Sequence, residues 1–318
     1  MTPAGPRNAA ARAAPRLRTA LQLGGIVLFW AANWPLIKLV LPDIGPLSFT
    51  ALRFFGAALM MALMARMLRV PFLPARHERA MLAATGLLQM GVMLGLAAVG
   101  LQYVPPGRAA VLVYTMSLWA LPLGWWLANE RPTPTQLIGG AVGLAGLLLF
   151  FEPAQILAGG RAAFGYGLIL AAAVCWALGA CLYRGRGGWR TPFWTQTLYQ
   201  LLVSALAVGI AAAAFESARP IHWTWTLAAV LLFNWFVGTG LTYWWWGQVL
   251  AVLPAARAGQ IASLVPVVAL AMSALALGET VTLRLAVAVA LVLGGVVIVS
   301  RGAAKRMSRA AGGAGKVR

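Results

Sequence analysis

Acidic side chains are nearly missing from this chain, with six Asp and Glu among 318 residues beside two histidines and two cysteines. These shortages exclude a great deal. No HExxH, GxSxG, nucleotide-binding loop or carboxylate pair can be read, and His77 and His222 both fall in loops. Neither an enzyme nor a cofactor or metal centre is therefore expected. Cys175 and Cys181 stand six apart in one apolar stretch and form no CxxC, so they carry no redox signal. Charged residues make up 10% of the chain, where a soluble domain needs about 25% to cover its surface. The net charge of +19 would ordinarily suggest nucleic acid. Here the basic residues gather in loops and tails, where anionic lipid accounts for them, and no nucleic-acid partner is expected. The first apolar stretch has full span length and no small-residue cleavage site, so a cleavable signal peptide is not expected.

Hydrophobic residues, at 61% of the chain, occur in stretches near the ~20 residues that cross a bilayer. The sequence predicts an all-α integral membrane protein with ten transmembrane helices at 19–41, 46–68, 80–103, 105–127, 134–151, 165–184, 192–214, 224–248, 254–278 and 280–300. Residues 1–18 read as a disordered basic tail, 152–164 as a linker and 301–318 as a second basic tail. Of the 25 Lys and Arg residues, 19 lie on the side of the N-terminus. Four lie opposite (Arg108, Arg161, Arg219, Arg284), and Lys38 and Arg53 lie within spans. That asymmetry predicts both termini in the cytoplasm.

The stretch 254–300 has a twin at 105–151, displaced by 149 positions. Pro105 falls on Pro254, Arg108 on Arg257, Leu121 on Leu270, Glu130 on Glu279, Thr133 on Thr282 and Gly146 on Gly295. More weakly, Phe29-Trp30-Ala31 meets Cys175-Trp176-Ala177 at 146. Spans 4 and 9 are an odd number apart and cross in opposite directions. Residues 19–151 and 165–300 are thus expected to be two inverted five-helix repeats around a central cavity, the arrangement of secondary transporters. The copies also depart from each other. Met116-Ser117 stands where the second copy has Val265-Pro266, and Asn129 where it has Gly278. A break made by Pro266 therefore need not recur in the first half. Pro122 and Pro266 are candidate kinks, and the Gly139/Gly143 and Gly91/Gly95 pairs are candidate close helix contacts.

Leu28-Phe29-Trp30-Ala31-Ala32-Asn33-Trp34 with Lys38, and Leu52-Arg53-Phe54, resemble the first two helices of the drug/metabolite transporter superfamily. Ala262-Ser263-Leu264-Val265-Pro266-Val267-Val268, running on to Leu277-Gly278-Glu279, is similar to the ninth helix of its EamA-type members. The resemblance covers 19–300. It implies export of small metabolites, often amino acids or derivatives, from a bacterial inner membrane, commonly linked to protons. The fold unit it implies is a monomer, and association into a homodimer stays open. Drug efflux, exchange or uptake by the same fold also stay open.

Several residues could carry transport. Trp30, Asn33 and Trp34 share one helical face, where an amide between two indoles can hold a polar head while rings cover an apolar group. Trp176 matches Trp30 in the other half. Lys38 and Arg53 are cations inside spans, costly unless paired, and either could attract a carboxylate or act as an anchor. Asn234, Gly238, Thr242, Trp245 and Gln248 make a stripe on span 8 that must face protein or water. Tyr114 and Ser117 on span 4, and Gln260 and Ser263 on span 9, are weaker candidates. Glu130 and Glu279 sit at helix ends, and capping the helix that follows is a more natural role for them than carrying protons.

Overall fold

The computed structural model describes residues 6–151, 160–185, 188–253 and 255–314. All regular structure among them is helical. We number the rods in chain order. α1 is Pro6–Val40 and α2 is Pro46–Leu68. α3 runs from Arg79–Gly86 through a π turn at Leu87–Val92 to Met93–Leu101. α4 is broken into Pro106–Tyr114 and Met116–Ala128, and α5 is Pro134–Phe150. α6 is Arg161–Gly185 and α7 is Phe193–Phe215. α8 joins Trp225–Phe233, a π turn at Asn234–Leu241 and Thr242–Val252. α9 is broken into Ala255–Ala262 and Val265–Leu277, and α10 is Leu283–Ala314.

Nine of these rods are long and apolar enough to cross a membrane, and α5 is a shorter apolar helix. At 17 residues α5 spans about 26 Å at 1.5 Å per residue. It is held between neighbours by glycine. A Cβ at Gly146 would come within 2.6 Å of the backbone of Val292, and one at Gly295 within 2.5 Å of Gly143 N. α5 and α10 therefore touch backbone to backbone, the close approach expected of Gly139 and Gly143. The other principal packings are α2 on α7, α3 on α6, α1 on both α8 and α9, α4 on both α6 and α9, α3 on α7, and α2 on α8.

Two expectations change. The chain is helical from Pro6 and through Ala314, so much of the N-terminal tail expected to be disordered extends α1, and much of the basic C-terminal tail extends α10. Ala-rich sequence propagates cheaply from a helix already nucleated. Second, the break in α9 does recur in α4. α4 stops at Thr115, whose hydroxyl donates to Leu112 O at 2.6 Å, and α9 stops where Ser263 donates to Gln260 O at 2.6 Å. A side chain that takes a carbonyl from the backbone ladder can open a helix without proline. Pro266 only starts the second segment of α9, and the second segment of α4 runs on through Pro122. Asn129 and Gly278 turn out equivalent, each ending its helix in the left-handed region (φ 52° and 67°). Part of the linker expected at 152–164, and Pro254 of the repeat, lie outside the described residues.

Candidate functional site

Each membrane face is fastened by a carboxylate bonded across to another helix. On one face Glu279, just past α9, accepts from the N–H groups of Gly107 and Arg108 at the start of α4 (2.8 and 3.1 Å). On the same face Glu216 accepts from Leu47 N, Ser48 N and Ser48 Oγ at the start of α2. On the other face Glu78 accepts from Arg190 N, Thr191 N and Thr191 Oγ just before α7. The first amides of a helix have no partner within it and carry its positive dipole end, so a carboxylate is their natural acceptor. Glu279 was expected to cap the following helix. Thr282 does that instead, accepting from Leu285 N, just as Thr133 caps α5 in a capping box with Gln136. Glu279's side chain is 4% exposed and lies 3.9 Å from Arg108 Nε. Burial pushes its carboxyl above the ordinary range, while the two amides, Arg108 and Lys38 pull it back.

Lys38 belongs to this rim. Its Nζ donates to Leu101, Gln102 and Val104 O at 2.5, 3.2 and 3.3 Å. The ammonium thus caps the C-terminal end of α3, where carbonyls and dipole both favour a cation. That is its anchoring role, and it leaves no donor of the side chain unengaged.

The interior is built differently. Trp30 on α1 donates from Nε1 to Thr242 Oγ1 on α8 at 3.1 Å, and Thr242 in turn donates to Gly238 O at 2.9 Å. The Trp30 ring lies 6.1 Å from Tyr243 and 5.5 Å from Trp246. Asn33, one turn along α1, lies over Gly238. A Cβ there would come within 2.9 Å of the Asn33 amide nitrogen, so glycine makes room for the amide. Asn33 Oδ1, Asn234 Oδ1 and Thr239 Oγ1 are all shut off from water without a hydrogen-bond partner among the described residues. Asn234 spends only its Nδ2, on Val230 O. Buried polar atoms are normally satisfied, and here three lie on α1 and the π turn of α8. π turns are frequent at functional sites.

Arg53 on α2 is 7% exposed, and its Nε lacks an acceptor. It sits 5.9 Å from the Phe54 ring and within electrostatic reach of Tyr243, which also interacts with Tyr114 at the break of α4.

The structure splits the predicted span-8 stripe. Asn234, Gly238 and Thr242 stay together, because a π turn keeps steps of four nearly aligned. Trp245 stacks on Phe29 at 6.1 Å and fills the space over Gly25. Gln248 lies at the far end, accepting from Arg18 and Gln22. Trp34 is buried in the main apolar core. Ser263 is spent at the α9 break, and Gln260 supplies its carbonyl. Ser117 and Trp176 are half-buried and take part in none of the contacts above. Tyr243 was not among the expected residues, because with Trp244 and Trp246 it lies off the predicted stripe, in a cluster suited to an interfacial aromatic belt. No group of three metal-ligating side chains occurs among the described residues.

Comparison with known proteins is consistent along the whole length. The family described as "EamA-like transporter family" matches residues 18–152 and 163–301. An "Uncharacterized transporter YoaV" of Bacillus subtilis is 27% identical, over 88% of this chain and 96% of its own length. A "Probable amino-acid metabolite efflux pump" of Salmonella typhimurium is 28% identical over 85% and 90%. A "Probable terminal-alkyne amino-acid exporter" of Streptantibioticus cattleyicolor is 27% identical over 86% and 91%. One solved structure, described only as "Crystal structure of protein", shares the fold with a TM-score of 0.61 at 19% identity, covering 88% of this chain and 96% of its own.

Proposed function

This chain belongs to the EamA-like transporter family and is a multi-pass membrane protein. On that premise we propose that it exports small metabolites, amino acids or their derivatives first, by alternating access between two inverted five-helix halves. The observation that carries this reading is the pairing of irregularities. α3 and α8 each hold a π turn, at 87–92 and 234–241, and α4 and α9 are each broken, at 115 and 263–264. The packings follow the same rule: exchanging α1–α5 with α6–α10 turns α1 on α9 into α6 on α4, and α2 on α8 into α7 on α3. Broken helices around a mid-membrane site suit a carrier that must open to either side. In this reading α5 is the tenth crossing, and both termini face the cytoplasm of a bacterial cell.

The lining supports an amino acid. Unpaired amide oxygens of Asn33 and Asn234 are acceptors of the kind an ammonium needs. Trp30, Tyr243 and Trp246 offer ring faces to an apolar side chain. Relatives named as amino-acid metabolite efflux pumps favour the same class. The test is efflux from proteoliposomes loaded with mixed amino acids and derivatives, with and without a pH gradient. Saturable release of that class supports the reading, and acceleration by the gradient adds proton antiport. Release indifferent to the gradient means facilitated diffusion or exchange. Non-saturable flux would mean a channel, and no release would sink amino-acid export.

A further inference from the structure

Arg53 poses a problem that the fold leaves open. Its guanidinium is buried two helical turns inside α2. A guanidinium stays protonated in proteins, so burial cannot neutralise it. Its counter-charge is not supplied by the described carboxylates. Asp43 bonds Thr224, Glu78 bonds the residues before α7, Glu216 the start of α2, and Glu279 the start of α4. Glu130 is engaged elsewhere, at the end of α4. The pairs His77–Glu78 and Arg108–Glu279 both lie at the rim. The groups that do face Arg53 are neutral: the Phe54 ring and Tyr243, with Tyr114 beyond it. Neither tyrosine hydroxyl makes a hydrogen bond to a described residue, and neither is among the buried atoms shut off from water as Arg53 Nε is. Lys38, the other cation within a span, poses no such problem because three carbonyls hold it.

We propose that Arg53 binds the carboxylate of the transported molecule, with the hydroxyls of Tyr114 and Tyr243 as supporting donors, so that the cargo itself neutralises the buried charge. The inference rests on the transporter reading and deepens it. A planar guanidinium fork matches the two oxygens of a carboxylate, and hydrogen bonds to an ionised acceptor are the strong ones. A cation left uncompensated in the empty site and matched in the loaded one favours binding of an acid over its amide or amine. The site therefore selects on the carboxylate, with the aromatic walls selecting more loosely on what it carries.

The test uses the full purified chain in nanodiscs and reads thermal unfolding against four probes sharing one ring system, indole-3-propionate, L-tryptophan, L-tryptophanamide and tryptamine, with formate as a minimal acid. The wild type should be stabilised by the three carboxylates and not by the amide or the amine. Arg53→Met should lose that response while melting no lower than the empty wild type, because an uncompensated buried charge has been removed. Arg53→Lys should keep a reduced response. Equal stabilisation by tryptamine, a carboxylate response surviving in Arg53→Met, or no response of the wild type to any carboxylate would each overturn the proposal. So would a collapse of the empty Arg53→Met protein, which would mark Arg53 as a structural anchor. Should liposomes release no amino acid while the Arg53-dependent response persists, export of amino acids fails and the acid site stands.

Discussion

In α3 the two residues that lead into the π turn at Leu87–Val92 are locked to α7. Gln200 of α7 donates to Thr85 Oγ1 at 3.1 Å, Ser204 donates to Gly86 O at 3.1 Å, and Gly86 lies against the Gln200 stem. In α8 the π turn at Asn234–Leu241 is anchored to α2 by Trp235, which donates to Leu52 O at 2.9 Å. Its inward face keeps Asn234 Oδ1 and Thr239 Oγ1 unpaired, with Asn33 Oδ1 beside them. One π turn is thus approached through polar locks, and the other keeps buried oxygens open. Two helices with the same irregularity need not share a role. One can be locked to the scaffold while the other holds groups that meet the cargo.

Substitutions beside the two turns should separate these roles. Asn234→Leu is expected to lower transport about five- to thirtyfold, the loss of one substrate hydrogen bond of about 1–2 kcal/mol, while moving the melting temperature little. Gln200→Leu should do the reverse, costing about 1 kcal/mol, a shift of a few degrees, with transport nearly unchanged. Parallel rate and melting measurements check both, and the comparison breaks if the two variants behave alike. Trp30→Phe should cost about 0.6 kcal/mol by losing Thr242 and should raise the half-saturation constant a few-fold. A double-mutant cycle with Thr242→Val isolates that bond. Lys38→Met should destabilise by about 1 kcal/mol through loss of the α3 cap, with uptake of anionic probes unaltered, since Lys38 serves the rim and not the interior.

The smallest effect concerns Glu279. Its carboxyl is raised by burial, so the folded protein holds a proton there that the unfolded chain has released. Stability of the wild type relative to Glu279→Gln should therefore fall as pH rises from the ordinary carboxyl value to the raised one. Thermal melts across that window test the sign. Neither π turn should feel the change.

The helices were legible because hydrophobic stretches of span length have few other uses, but their caps were misassigned, since Thr282 and not Glu279 caps α10. The interior was legible only by residue type. Lys38 and Arg53 look alike in sequence, and what separates them is three carbonyls contributed by α3 and the connection after it. Tyr243 was hidden because it lies off the predicted stripe in an aromatic cluster, and the break of α4 because a threonine rather than a proline makes it. The partner of Glu279 could not be seen either, since its bonds reach more than 170 positions along the chain.

The π turn of α8 also bears on how this chain tolerates insertion and deletion. Such a turn holds more residues than an α turn. Deleting one residue within 234–241 would let α8 close into an ordinary helix, which needs no repair of its backbone bonds. The turn already absorbs the extra residue, so 242–252 would keep nearly their present direction relative to 225–233. The cost would fall on the turn itself, where Asn234 Oδ1 and Thr239 Oγ1 now stand open. A gene that lost that codon would encode a helix of better regularity and a wall with fewer open groups.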